Sequence, residues 1–348
     1  MKLTGPISGL LFTDVKVKHL FCLDLSLQFL TCKNASGFFL FFIFYFLFLF
    51  SPEIHAGNSA TDQQQTPASR QQCNAQNIQL QQQNASNKLV PTMIEPLAQP
   101  EQVKYKPAYK AVKQYSYNVI SRIPHDETAF TQGLAFFDGE LYEGTGLLGA
   151  SEIRKLDIKT GEVRYNDKLD KFHFGEGISI VNNRLIQLTW KTGRAFVYDL
   201  EKLQRTGNFS YEGESWGVTT IDEQLLMSDG SATLKWLVVD NDLLSVQVKH
   251  LSDIRVSENG VAVQGLNELE YANGFVYANV WPGDCIAQID PATGNINAWI
   301  NLTGLYPESS RPQGAAILNG IAYHQGTPYF FVTGKYWPYV YELEFLAP

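Results

Sequence analysis

From Tyr115 onward the chain reads as short apolar segments cut by turn signals, and no stretch holds a helical period. Asp138-Gly139, Asn182-Asn183 and Asn273-Gly274 suit tight hairpin turns, and Thr160-Gly161 and Thr293-Gly294 add further turns. The pattern predicts a succession of antiparallel hairpins.

Stacked on one another, the segments repeat. Thr131-Gln132-Gly133-Leu134-Ala135, Gly175-Glu176-Gly177-Ile178-Ser179, Ser215-Trp216-Gly217-Val218-Thr219, Leu266-Asn267-Glu268-Leu269-Glu270 and Leu318-Asn319-Gly320-Ile321-Ala322 share one register. A polar residue or Trp is followed by Gly (once by Glu268) and then by an aliphatic. The steps are roughly 40 to 52 residues, the period of a four-stranded propeller blade. Five copies predict an all-β fold, a five-bladed β-propeller. A β-sandwich, the other architecture for such strands, gives no reason for a shared register. The segment Tyr115 to Ile123 precedes the first copy and is predicted to supply a strand to the last blade, closing the ring without an exposed edge.

Upstream the pattern changes twice. Phe38 to Phe50 is an unbroken apolar run, shorter than the ~20 residues a spanning helix needs but of the length of a signal-peptide core. Beyond it, Gln63-Gln64-Gln65, Gln71-Gln72 and Gln81-Gln82-Gln83 punctuate a stretch that looks too polar to offset the entropy of ordering. The chain is therefore divided into a signal peptide or signal anchor (1–56), a Gln-rich disordered linker (57–113) and the propeller (114–348). Export to the periplasm, the secretory pathway or the cell exterior is expected, with membrane contact only through an uncleaved anchor.

Of the four cysteines, Cys22, Cys32 and Cys73 fall outside the propeller, so Cys285 is expected to be a buried small hydrophobe rather than half of a disulfide. Among 348 residues the net charge is −8 and 13% are aromatic. An acidic chain without a Lys/Arg run argues against a nucleic-acid partner. The six His are scattered with no ligand spacing, so no metal or other cofactor is expected.

Repeat symmetry places chemistry. The five stacked positions, Gln132, Glu176, Trp216, Asn267 and Asn319, should form one ring at one mouth of the propeller channel. The second strand of each blade runs back to the same mouth. Its ends carry Thr145-Gly146, Trp190-Lys191, Asp229-Gly230, Trp281-Pro282 and Gly334-Lys335. Aromatic walls around a few convergent polar groups describe a small-ligand site. Glu176 stands out: glycines on both sides permit close approach, and a carboxyl walled by Trp would have a raised pKa and could carry a proton.

At these residues the chain resembles the plant and bacterial glutamine cyclotransferase family. The resemblance runs from about Pro124 to Leu343. It is carried by Pro124-His125-Asp126, Ala129-Phe130-Thr131-Gln132-Gly133-Leu134, Gly144-Thr145-Gly146-Leu147, Phe174-Gly175-Glu176-Gly177, Trp216-Gly217 and Ser228-Asp229-Gly230, and further on by Leu266 to Tyr271, Ala278 to Trp281, Asp284 to Ala287, Leu318 to Ala322 and Val332 to Lys335. It implies a propeller enzyme that converts the N-terminal glutamine of peptides or proteins to pyroglutamate with release of ammonia. It further implies Glu176, Asn267 and Lys335 as catalytic residues and Phe130, Gln132, Trp190, Trp216 and Trp281 as the substrate pocket. A monomer is expected. Two other functions fit a propeller: a non-catalytic binding or scaffold module of the cell envelope, and a metal-dependent hydrolase using Asp229 and Glu176. Folds of this kind host many activities.

Overall fold

The computed structural model describes residues 72–87, 111–238, 249–312 and 317–348. The fold is mostly β. After one helix, α1 (Ala75–Asn87), and a first strand, β1 (Lys113–Pro124), the strands fall into successive antiparallel groups of four. The first group is β2 (Thr131–Phe137), β3 (Glu140–Thr145), β4 (Glu152–Leu156) and β5 (Val163–Lys168). The second is β6 (Gly175–Val181), β7 (Arg184–Thr189), β8 (Arg194–Asp199) and β9 (Arg205–Ser210). The third is β10 (Val218–Ile221), β11 (Gln224–Met227), β12 (Thr233–Val238) and β13 (Lys249–Arg255). A small hairpin, β14 (Ser257–Glu258) and β15 (Val261–Ala262), leads to β16 (Leu266–Ala272), β17 (Phe275–Val280), β18 (Cys285–Ile289) and β19 (Ile296–Asn301). The last strands are β20 (Leu318–Tyr323), β21 (Tyr329–Gly334) and β22 (Tyr339–Leu346).

The turn chemistry explains the hairpins. Asp138-Gly139, Asn182-Asn183, Asp222-Glu223 and Asn273-Gly274 link the first two strands of their groups, and both residues of each pair have positive φ. That is the turn whose twist matches flanking strands. Asp222-Glu223 carries no such signal in sequence, yet the third hairpin closes the same way.

Apolar cores lie between neighbouring groups. Ala135 and Tyr142 meet Ile178, Leu185 and Phe196, while Ile186 and Val197 meet Val218 and Leu225. Leu226 and Leu234 meet Leu269, Val276 and Trp299. Tyr277 and Ile286 meet Ile321 and Phe330, and Phe331 and Val340 meet Leu134 and Leu141. The leading strands β2, β6, β10, β16 and β20 likewise touch in a closed cycle. Covered on both faces, β3 and β7 are buried at nearly every position, which explains apolar runs without alternation.

The approach at the cycle is close. A Cβ on Gly177 would sit 2.7 Å from Gly217 Cα, and one on Gly217 would sit 2.1 Å from the Asn267 carbonyl oxygen. Only glycine allows these backbones to meet. Where the fourth copy has Glu268 instead, its buried carboxyl stitches the neighbours together, accepting from the amides of Leu134 in β2 (3.3 Å) and Ile321 in β20 (2.8 Å).

The first strand does what its position predicted and more. Ser116 to Pro124 pairs antiparallel with β22, so the start of this region completes the last group. Lys113 to Tyr115 also pairs in parallel with β19, an unforeseen link that merges the last two groups into one eight-stranded sheet.

Two expectations are overturned. Cys285 is not a lone buried thiol: it forms a disulfide with Cys73. The Gln-rich linker is not disordered throughout either, because residues 75–87 form α1. Cys73, Ala75 and Ile78 are buried in the core under the fourth group. The glutamines are not mere solvated filler: Gln79 and Gln82 donate to the main-chain carbonyls of Ala262, Gln264 and Trp281. Composition averaged over the stretch hid three buried apolar side chains and amides with specific acceptors. The apolar run 38–50 and the rest of the linker lie outside the described residues, and no described helix is long and apolar enough to cross a membrane.

Candidate active site

Four leading strands carry a register shift at the same place: between Thr131 and Gly133, Gly175 and Ile178, Leu266 and Leu269, and Leu318 and Ile321. A bulge re-aims a side chain out of the regular ladder. Gln132, Glu176, Asn267 and Asn319 sit in these bulges. Trp216 holds the equivalent place just ahead of β10.

The second strands return in register. The amides of Gly146, Trp190, Trp281 and Lys335, just past β3, β7, β17 and β21, donate to the carbonyls of Phe130, Phe174, Gly265 and Ile317, each two residues before a ring position. One main-chain bond, repeated, therefore sets Trp190, Trp281 and Lys335 beside the ring.

The result is a pocket of about 200 Å³ lined by Phe130, Gln132, Phe174, Glu176, Trp190, Trp216, Asn267, Trp281 and Lys335. All eight residues that the family resemblance implies are in it, whereas Asn319, Asp229 and Lys191, which repeat symmetry also placed at this mouth, do not line it. Its floor is polar and buried: Gln132, Glu176, Asn267 and Lys335. Its walls are aromatic and partly open. Phe130 meets Phe174 edge-on with centroids 5.9 Å apart, Phe174 leans on Trp190 at 5.7 Å, and Trp216 meets Trp281 edge-on at 6.4 Å.

Gln132 Nε2 donates to Glu176 Oε2 at 2.6 Å, and Gln132 Oε1 accepts from Asn319 Nδ2 at 3.1 Å. Asn319 thus stands behind the pocket rather than in it. Burial pushes the Glu176 carboxyl well above its ordinary range, and the nearby Glu214 carboxylate adds to the rise. Lys335 and the Gln132 amide oppose it without cancelling it. Burial lowers the Lys335 ammonium to about 8, against the upward pull of Glu176. Its Nζ lies 4.5 Å from the centre of the Phe130 ring. The floor thus holds a carboxyl and an amine whose proton affinities have moved toward each other, the condition for passing a proton near neutral pH. The Asn267 Oδ1 is buried without a hydrogen-bond partner.

Two functional neighbours were missed in the sequence. Phe174 completes the aromatic wall. Glu214 accepts from the indole N–H of both Trp190 and Trp216 and lies 3.9 Å from Lys191. Both stand two residues before a ring position, as Phe130 does, so the register that located Glu176 also pointed to them. Other candidates fall away. Lys191 lies over the Trp190 ring, its Nζ 4.1 Å from the ring centre, and does not line the pocket. Asp229 pairs with Lys235 at 2.7 Å, so the carboxylate that a metal reading required beside Glu176 is engaged elsewhere. No group of three or more metal-ligating side chains occurs among the described residues. A larger cavity of about 290 Å³ lies between α1 and the β14–β15 hairpin. Its one carboxylate, Glu258, already accepts from the Ala75 amide, and it has no aromatic wall. The smaller pocket is the one that combines buried titratable groups with an aromatic wall.

Comparison with known proteins points the same way. A family model described as glutamine cyclotransferase matches residues 89–345. An Arabidopsis thaliana protein named glutaminyl-peptide cyclotransferase is 41% identical over 232 residues, covering 65% of this chain and 70% of its own. The crystal structure of Myxococcus xanthus glutaminyl cyclase superposes with a TM-score of 0.62 at 32% identity, over 68% of this chain and all of that one.

Proposed function

The chain belongs to the glutamine cyclotransferase family, and from that premise we propose a division of labour for an enzyme that closes the N-terminal glutamine of a peptide to pyroglutamate. The observation that carries it is Glu176: a buried carboxyl with raised proton affinity on the floor of an aromatic pocket, bonded to the Gln132 amide and sharing that floor with the Lys335 amine.

The substrate α-amine attacks its own γ-carboxamide carbon. Because the nucleophile is tethered, little orientational entropy remains to be overcome. As the C–N bond forms, Glu176 accepts the proton that the nitrogen sheds. It then delivers that proton to the amide nitrogen, the old C–N bond breaks, and ammonia leaves. Lys335 stabilises the oxyanion of the tetrahedral intermediate. Asn267, with its free oxygen, orients the substrate carboxamide. Gln132 holds Glu176 rather than substrate, since its amide is engaged at both ends. Phe130, Phe174, Trp190, Trp216 and Trp281 enclose the aliphatic part of the glutamine and exclude water.

The groups of four strands act in this proposal as the blades of a five-bladed propeller. What supports that is the repeat, the closed cycle of leading strands and the pairing of β1 with β22. Loop lengths can then vary at one mouth while the ring stays constant.

Export is also proposed, on the apolar run 38–50 and on the Cys73–Cys285 disulfide, a bond that persists in oxidising compartments. Recovery of the chain in the reducing cytosol, with both thiols free, would refute it.

Ammonia release from Gln-Xaa dipeptides, followed with and without chelator, tests the activity. Release that survives chelator is expected. Abolition by chelator would favour the metal-dependent alternative, and no release at all would overturn the assignment.

A further inference from the structure

Two residues before each ring position, four of the five repeats supply a side chain: Phe130, Phe174, Glu214 and Ile317. The fourth repeat has Gly265, with φ +78. A Cβ there would sit 2.5 Å from Gln82 Nε2 and 2.4 Å from the Trp281 carbonyl oxygen. The place of the missing side chain is filled by an amide from outside the repeats, brought by α1.

That amide touches the pocket wall. Gln82 Nε2 donates to the Trp281 carbonyl at 2.9 Å and to the Gln264 carbonyl at 3.0 Å. The Trp281 amide in turn donates to Gly265 at 2.8 Å. Both main-chain groups of this pocket residue are therefore fixed, and α1 fixes one of them. Trp281 opens the four-residue turn between β17 and β18, and Cys285 closes it, opposite Val280. Cys285 is bonded to Cys73, immediately upstream of α1. The helix thus grips the turn at both ends. Within the turn, Asp284 accepts a two-pronged bond from Arg311 at 2.9 and 2.7 Å.

We propose that α1 is a strap that sets the Trp281 wall, and that Gln82 is a positioning residue for substrate binding. The proposal rests on the cyclotransferase reading of the pocket. It predicts that the N-terminal helix acts on substrate affinity rather than on the chemical step, because it reaches a wall and not Glu176.

Kinetics of a Gln-Phe dipeptide on the full chain test it, with Gln82→Ala as the first variant. Loss of one hydrogen bond to a wall residue should raise KM by ~3- to 10-fold and leave kcat within about twofold. Cys73→Ser, which frees the other anchor, should shift KM the same way. Acrylamide quenching of Trp281, isolated by difference from a Trp281→Phe background, should rise in both variants. Unchanged KM and quenching would overturn the strap, whether or not the thermal midpoint falls. Absence of turnover in the unmodified chain would instead count against the cyclotransferase reading, and the quenching measurement would still decide the strap.

Discussion

Gln132 is held by both ends: Asn319 donates to its oxygen, and its nitrogen donates to Glu176 Oε2 at 2.6 Å. The first bond fixes which way the amide faces, so Glu176 always meets a donor on that oxygen. A donor favours the ionised form, which is why Gln132, with Lys335, opposes the rise that burial imposes on the Glu176 pKa. Gln132→Glu would replace the donor by a second carboxyl. The acidic limb of the kcat profile should then move to higher pH, as a titration series would show; an unmoved limb would mean that Gln132 does not govern Glu176. Asn319→Ala, which frees the amide to turn, should move the limb the same way by less.

Glu176→Gln should lower kcat by ~10²- to 10⁴-fold, the usual share of a positioned acid/base. Stability should behave differently. The folded pKa of Glu176 lies above its ordinary 4.5, so the folded state holds the proton more tightly. Stability must then fall as pH rises between those two values. Glutamine cannot ionise, so the variant should lose that slope and melt no lower than the parent at neutral pH. Thermal melts across a pH series check this, and a variant that is both inactive and much less stable would point to a structural role.

Lys335 supplies the alkaline limit. With its ammonium lowered to about 8, the charge that stabilises the oxyanion is lost as pH rises through that value. Turnover should fall accordingly. Lys335→Met should be slow at every pH and lack that limb. It should also raise the acidic limb, because the cation that pulls the Glu176 pKa down is gone. A variant retaining the alkaline limb would assign it to another group, such as the substrate amine.

Away from the pocket, His125 is buried with both ring nitrogens facing acceptors, the Trp337 carbonyl at 2.7 Å and Glu143 Oε1 at 2.8 Å. Two acceptors require an imidazolium. Burial opposes the charge, but Glu143 and the Trp337 carbonyl raise the pKa above 6.5 overall. Burial likewise pushes the Glu143 carboxyl up, yet His125, Arg154 and Thr131 bring it below 4.5. The His125 contribution is thus complete below pH 6.5 and lost as pH rises through its folded pKa. That of Glu143 is complete above pH 4.5 and lost as pH falls through its own. His125→Ala should destabilise by ~3–5 kcal/mol by leaving Glu143 buried without its main partner. Denaturant melts should show the difference shrinking toward alkaline pH.

The ring was legible because five copies share a register, and the register fixes which residues meet however far apart they lie. Phe174 and Glu214 sit in the same register, two positions upstream, but the five residues at that position (Phe130, Phe174, Glu214, Gly265, Ile317) share no side-chain type, so the repeat gives them no common signature. The bulges were not legible, since a bulge depends on how neighbouring backbones meet. Nor was α1. Its docking rests on Cys73, Ala75 and Ile78, too few to show a period, and on glutamine amides whose acceptors lie some two hundred residues away in β15, beside β16 and after β17.

The double pairing of β1 with β19 and β22 has a consequence during synthesis. This strand emerges from the ribosome ahead of every other strand described, yet its longest partner, β22, emerges last. Until then β1 has only its short pairing with β19, and most of its edge stays available to other chains. Closure comes in a single late step that joins distant parts of the chain, the kind of contact that folds slowly and exposes intermediates to aggregation.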